Sequence, residues 1–512
     1  MNLPASNVTR FEVVALLLIL VGALALRLPA MKWGLPPTIP QVIASGIRSS
    51  YSFDEDDVLT GASHTRPWKL DFDVREYHWG ALHLEMTALW LEMAEVAGVF
   101  GGPWRQAYYQ MVPGLFERVY ATARALSVFL GLVSIVLVYI VGREVESAAA
   151  GLWAAAVVAA SPVHLLASTQ VRMDLTMMAM LILTVWLGVR AQKQWQPWLL
   201  IALGIAGGLA ITAKYPAAFV VLPLLVIVAA DGRFPFRSAA LMTLGTIAGC
   251  WMGQPYVLTR FSEMVSQIRP YVIAQTPAPF KLSLMGLLRL TFLNVARFLV
   301  GPVALGAALA GICRSAWRHR QGDWLILSGL AGTVLSLIPL RWALLRYLIP
   351  LLPFLAIAAG IAIASLTRWP QWVVGCTALV FPVCASLAQL HYMISPHPAN
   401  QILPVILNSV TPGTPVSRLL VGLPPLDTRV YPMGPSLFFS DLTKELPPWV
   451  LMADLPDQEY PLTTRVALKD RYDEIAEARS GRILAWATLG ESGAPHDWKY
   501  THPWMTLYRR RW

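Results

Sequence analysis

The sequence predicts an all-α polytopic membrane protein, with about eleven transmembrane helices and a small C-terminal extracytoplasmic α/β domain. Three observations carry that reading. The 512 residues are 56% hydrophobic and only 14% charged, whereas soluble domains run near 45–50% apolar and about 25% charged. Apolar runs long enough to cross a bilayer recur along residues 1–392. The charge is also unevenly placed. Residues 29–117 hold 6 Lys/Arg against 11 Asp/Glu, residues 393–512 hold 12 of each, and the remainder holds 22 against 7. The basic excess of +10 therefore sits between hydrophobic spans. That is positive-inside patterning, not a nucleic-acid groove. An ordinary soluble enzyme, a disordered chain and a disulfide scaffold are excluded by the same numbers. Cys250, Cys313, Cys376 and Cys384 lie in or beside apolar runs with no metal-binding spacing.

Taken in order, the expected spans are 11–28, 119–141, 148–167, 173–190, 198–213, 216–230, 238–253, 292–313, 323–340, 347–366 and 371–392. Arg27 and Pro29 stand directly at the end of the first, and it reads as a retained helix. With the N-terminus inside, the cytoplasmic connections carry Arg143, Arg190 and Lys193, Arg233 and Arg237, Arg314, Arg318 and Arg320, and Arg368. Loop 29–117 and residues 393–512 then lie outside. Segment 78–99 is apolar but includes Glu85, Glu92 and Glu95. It reads as an amphipathic helix along the membrane surface, because a true span would invert every later loop. In the tail, SRLLVG, PWVLMA and RILAWATL read as strands and 464–480 as an amphipathic helix.

Ionisable residues away from the basic loops are the functional candidates. The run Phe53-Asp54-Glu55-Asp56-Asp57 suits a general base or a metal site, since crowded carboxylates raise one another's pKa. A solvated acidic turn is the plainer alternative. Arg172 and Asp174 fall where one span exits and the next enters, and an interfacial ion pair would also explain them. Lys214, on the non-basic side, calls for an anionic partner such as a lipid phosphate. Arg341 and Arg346-Tyr347 break the positive-inside trend. They suit phosphate oxygens or, more simply, an interfacial belt. Asp71-Phe72-Asp73 has no nucleotide fold around it and reads as chance. His78 and His83 are five apart, a poor spacing for one helix face.

Together these segments resemble the GT-C glycosyltransferases of the bacterial protein-O-mannosyltransferase and aminoarabinose-transferase superfamily. The resemblance covers most of residues 1–392. Phe53-Asp54-Glu55 is similar to the family's first-loop Asp-Glu motif. Residues 77–99 stand where the family has a juxtamembrane helix, with Trp79 and Gly80 in place of its prolines. Residues 118–144, 161–175, GLAITAKYP and RYLIPLLP resemble its later segments, and the closing PWMTLYRRRW looks like the end of such tails.

The resemblance implies a polyprenyl-phosphate-sugar donor and an active site on the outer face, in a bacterial inner membrane. It also implies inversion at the sugar carbon. Asp54 would be the base, Glu55 its neighbour and Asp174 a second acidic site residue. Lys214, Arg346 and Tyr347 would hold the donor phosphate, with Arg172 and Arg341 as further cations. A divalent metal near Asp54 and Asp174 stays open, as does the acceptor hydroxyl, on protein, lipid A or polysaccharide. A transporter of lipid-linked sugar is the alternative from another class. Transporters favour repeated halves and midplane charges, and neither is present. A purely structural membrane subunit would not need the outer charge clusters.

Overall fold

The computed structural model describes residues 9–39, 42, 50–112, 114–232, 235–274, 282–339, 344–419, 426, 429–432, 434, 446–454, 462–480, 495–499 and 501–511. Among these described residues, five helices are long and apolar enough to cross a membrane, or up to seven if each of two bent pairs is one span. The first, Arg10–Arg27, is closed at its start by a Thr9/Glu12 capping box. Leu115–Val145, at 31 residues, is the longest uninterrupted helix. Ala148–Ala160 and Pro162–Ser168 form one bent pair, at 65°. Pro197–Ala213 and Tyr215–Ala230 are shorter apolar helical segments.

Close packing of small residues shapes the bundle. Helix Pro197–Ala213 lies against Pro235–Gly253. A Cβ on Gly204 or Gly208 would strike the carbonyls of Met242 or Thr246, and one on Gly245 or Gly249 those of Ile201 or Ile205. Each helix thus offers a small-xxx-small pair to the other, which is how apolar helices approach closely where hydrophobicity gives no drive.

Two expected spans are corrected. Span 148–167 is the bent pair Ala148–Ala160 and Pro162–Ser168. Residues 292–313 are not a single helix: Leu284–Leu299 and Pro302–Arg318 meet at 118°. Gly301 adopts φ +85°, a conformation only glycine takes freely, and Pro302 restarts the helix behind it.

The segment read as a surface helix forms the helix Ala81–Val96. It packs on a second first-loop helix, Phe53–His64, and on Leu115–Val145. Leu59, Leu84, Leu91, Trp104, Phe116 and Tyr120 form the buried core beneath them. The carboxylates of Ala81–Val96 face protein. Glu92 is paired with Arg105, and Glu95 accepts the Trp104 N–H at 3.2 Å. Burial pushes the Glu85 carboxyl up to about 8.

The tail forms a four-stranded sheet: β1 (Val416–Leu419), β2 (Trp449–Asp454), β3 (Tyr472–Ala478) and β4 (Trp504–Arg510), in the order β1-β2-β4-β3. β1 and β2 are parallel, and the other two pairings are antiparallel. Two expected strands, in SRLLVG and PWVLMA, are β1 and β2. RILAWATL lies outside the described residues. The helix expected over 464–480 is corrected: it is helical only over Leu462–Arg471, and Tyr472–Ala478 is β3. The Glu and Ala of that stretch favour helix locally, but pairing with β4 overrides the preference.

Candidate active site

The first-loop helix Phe53–His64 places Asp54, Glu55 and Asp56 in its first turn, where the helix dipole favours negative charge. The three carboxylates then go to different partners. Asp56 accepts from the Tyr120 hydroxyl. Glu55 is fully buried against Arg124. It takes the guanidinium Nε at 2.8 Å and Nη2 at 2.6 Å, the Ser50 hydroxyl at 2.5 Å and the Val171 N–H at 2.7 Å. Arg124 spends its remaining donor, Nη1, on the carbonyls of Met31 and Trp33.

Asp54 instead meets the cations expected from the sequence. Its Oδ2 is bonded to Arg346 Nη1 and lies 3.2 Å from Arg172 Nη2. Burial alone would raise its pKa. Arg346, Arg172 and Lys214 outweigh that and hold the carboxyl below its ordinary value. The crowding expected to raise it is thus overruled by cations brought from residues far along the chain. One turn further, Asp57 has the opposite sign. Burial and the charge of Asp54 push its carboxyl up, with the Trp79 indole opposing.

Asp174 pairs with Lys214 at 2.5 Å. Lys214 Nζ and the Arg346 guanidinium each lie 5.4 Å from the Tyr347 ring centre, within cation–π range. The structure therefore brings together Asp54, Asp174, Arg172, Lys214, Arg346 and Tyr347. It does not bring Glu55 onto those cations. Arg341 lies outside the described residues.

The backbone enforces this convergence. A Cβ on Gly80 would collide with the carbonyls of Thr212 and Ala213, directly before Lys214. The Tyr215 hydroxyl donates to the Tyr77 carbonyl at 2.7 Å. Residues 77–80 are thereby pressed against the Lys214 segment, so glycine rather than proline at position 80 has a steric reason. His83 donates to or accepts from the Thr176 hydroxyl at 2.8 Å. Burial lowers its pKa to about 4 against the pull of Asp174, so it is neutral.

The arrangement suits an anion. Three cations share the site, and buried Arg172 Nε has no hydrogen-bond partner among the described residues. A divalent metal fits poorly. Asp54 and Asp174 are each already tied to a cation, and no three His, Cys, Asp or Glu side chains gather as metal ligands among the described residues.

Sequence reasoning missed two residues. Arg124 sits inside an apolar helix, a signal that was there to be read. Asp497 comes from the tail, and its Oδ2 accepts the backbone N–H of Arg346 at 2.8 Å. Burial raises its carboxyl, with Arg346 pulling the other way. No local pattern marks it.

A family model described as dolichyl-phosphate-mannose-protein mannosyltransferase matches residues 102–252. The fold is similar to that of ArnT from Cupriavidus metallidurans, solved bound to undecaprenyl phosphate. That likeness has a TM-score of 0.51 at 14% identity and covers 96% of this chain and 97% of that one. It is also similar to the Archaeoglobus fulgidus oligosaccharyltransferase, solved with a tethered acceptor peptide. Here the TM-score is 0.51 at 14% identity, over 86% of this chain and 69% of that one. No curated protein matches the chain in sequence. The superfamily resemblance read from the motifs is thus supported by a family model and by fold.

Proposed function

We propose that this chain is an integral membrane glycosyltransferase. It moves a sugar from a polyprenyl-phosphate donor to a hydroxyl acceptor on the extracytoplasmic face, with inversion. In the eleven-span topology, loop 29–117 and residues 393–512 lie on that face, and residues 1–392 form the membrane domain. The observation that carries the reading is the cation cluster around Asp54. Arg172, Lys214 and Arg346 stand together, and a buried Arg172 donor is left unspent. A donor phosphate supplies the missing acceptor oxygens, and charge-assisted bonds of this kind are the strong ones.

A small pocket lined by Met177, Leu181, Pro216, Phe219, Thr333 and Pro350 adjoins the same elements. Pro216 follows Lys214-Tyr215, and Pro350 follows Arg346-Tyr347 in the RYLIP turn.

The reaction then balances simply. The acceptor oxygen attacks the sugar C1 from the side opposite the phosphate. The C1–O bond to phosphate breaks, and its electron pair leaves with the polyprenyl phosphate. Arg346, Lys214 and Arg172 stabilise that growing negative charge, and Tyr347 backs the two cations beside it. Asp54 takes the acceptor proton. In the free site its cations depress its basicity. Donor phosphate draws on the same guanidinium groups, so Asp54 becomes the stronger base once the donor is seated. Asp174 holds Lys214 in place, and Glu55 positions the helix that carries Asp54.

The test is purified protein in nanodiscs given polyprenyl-phosphate sugars and hydroxyl acceptors. Release of polyprenyl phosphate with sugar transfer is expected. Movement of intact donor across proteoliposomes without cleavage would overturn the enzyme reading in favour of a transporter.

A further inference from the structure

The tail is docked into the helical bundle at several points. Trp498 is fully buried in the bundle core, with its ring centre 4.7 Å from that of Phe298. The Thr501 hydroxyl accepts from Gln389 Nε2 at 2.9 Å. His502 stacks on Tyr392, with ring centres 3.8 Å apart and planes within 13°. Two residues later β4 begins, and it is an interior strand of the sheet. The sheet is therefore tied to the bundle through this short segment, in addition to the packing of β3 and β4 on helix Pro398–Ser409.

Asp497 sits in that segment, beside the aromatic contacts that dock it. It is 2% exposed. Its Oδ2 accepts the Arg346 N–H, and its buried Oδ1 has no hydrogen-bond partner among the described residues. Burying a carboxylate is costly unless its partners repay it. The Arg346 N–H lies in the first turn of the 3-10 helix Leu345–Leu351, where the helix itself offers no acceptor. Asp497 supplies one, at the residue whose guanidinium meets Asp54.

We propose that Asp497 is a positioning residue for the donor phosphate. It fixes the backbone at Arg346, so that the guanidinium and the Tyr347 ring face the cation cluster, and it makes the C-terminal tail part of the site. This rests on the glycosyltransferase reading above. The tail thereby acquires a defined role, in which the sheet holds Asp497 and Asp497 holds the phosphate-binding turn.

The test measures binding of polyprenyl phosphate to the full chain in nanodiscs, alongside its thermal midpoint. Asp497→Ala should weaken binding about tenfold, the size of one hydrogen bond to a charged group, in protein that remains folded. Asp497→Asn keeps a carbonyl acceptor and should restore binding to within about threefold. In an Arg346→Ala background, Asp497→Ala should cost clearly less, since the backbone bond then places only the Tyr347 ring. Unchanged binding in folded Asp497→Ala overturns the proposal, and so does an undiminished loss in the Arg346→Ala background. If Asp497→Ala does not accumulate, Asp497→Ser replaces it. Failure of both to fold, while Arg346→Ala folds, makes Asp497 a folding residue and also overturns the proposal. Failure of the donor reading shows separately, as wild-type protein that does not bind polyprenyl phosphate.

Discussion

Asp54 and Glu55 are neighbours in sequence, both buried and both paired with arginine, yet their surroundings differ in kind. Glu55 and Arg124 form a closed set. Both carboxylate oxygens and all three guanidinium nitrogens of that pair have partners. The pair ties the first loop to helix Leu115–Val145 and to the Val171 backbone. The Asp54 cluster is open. Its cations converge from three separate segments, and Arg172 Nε is left without a partner among the described residues. A saturated buried network specifies structure, whereas an unsaturated one holds capacity for a ligand. One residue of register thus separates a closed carboxylate from the one proposed as the base.

The largest effect should come from breaking the closed set. Arg124→Ala leaves Glu55 buried and uncompensated, at a cost of about 3–5 kcal/mol. Little folded protein should survive size-exclusion chromatography in mild detergent. Asp54→Asn should retain most of its folded protein, because its cluster already tolerates unspent donors. A stable Arg124→Ala beside an unfolded Asp54→Asn would reverse the assignment of the two sets.

The second effect is on turnover. Asp54→Asn keeps the shape and removes the basicity, so single-turnover transfer should slow at least ~100-fold, the lower end for a general base. Polyprenyl-phosphate binding should survive, and even tighten, because Arg346 and Arg172 no longer have a competing carboxylate. Activity retained in Asp54→Asn and lost in Asp57→Asn would move the base one helical turn along.

Much of this comparison was legible in the sequence, and the reasons for the rest are physical. Arg172, Lys214 and Arg346 stand out because charge at the end of an apolar run is expensive and therefore informative. Their convergence on Asp54 was not derivable from spacing. It came from a family resemblance, and the structure now shows the geometry. The different fates of Asp54 and Glu55 were not legible, since both depend on partners more than 60 residues away in the chain. Arg124 was legible and overlooked. Asp497 was not, because a tail of mixed charge gives no sign that one aspartate enters the bundle. The break at Gly301 illustrates a further limit. An apolar run reports burial in lipid or protein, but not the single φ that divides it.

Third in size are the phosphate contacts. Lys214→Ala or Arg346→Ala removes one charge-assisted contact, worth roughly 1.5–3 kcal/mol, or ten- to over a hundredfold in donor use. For Arg346→Ala, which leaves Asp54 its Arg172 partner, the loss should appear in donor KM or in kcat/KM, with the amount of folded protein little changed. Lys214→Ala also strips buried Asp174 of its ion-pair partner and should lose some folded protein as well. Equal loss of folded protein would place these cations with Arg124, as structure rather than site.

The smallest effect separates Asp54 from Asp57, which share a helix but titrate with opposite signs. The carboxyl of Asp54 is held below its ordinary value by its cations. Its ionised form therefore stabilises the fold above pH ~4, the unfolded value, and that contribution is lost as pH falls through the lower folded value. Asp57 is pushed up by burial and by the charge of Asp54. Its ionisation disfavours the fold, so stability present below pH ~4 is lost as pH rises through the higher folded value. Asp57→Asn removes that penalty and also the repulsion felt by Asp54. At pH 7 it should raise stability slightly, by no more than ~0.5 kcal/mol for a half-exposed group, while turnover stays near wild type. At pH 3.5 the gain should largely vanish, because Asp57 is then mostly protonated in both states. Thermal midpoints of wild type and Asp57→Asn at the two pH values make the measurement. A stability loss at pH 7 would show that Asp57 belongs to the bonded network of the first loop rather than to its repulsive edge.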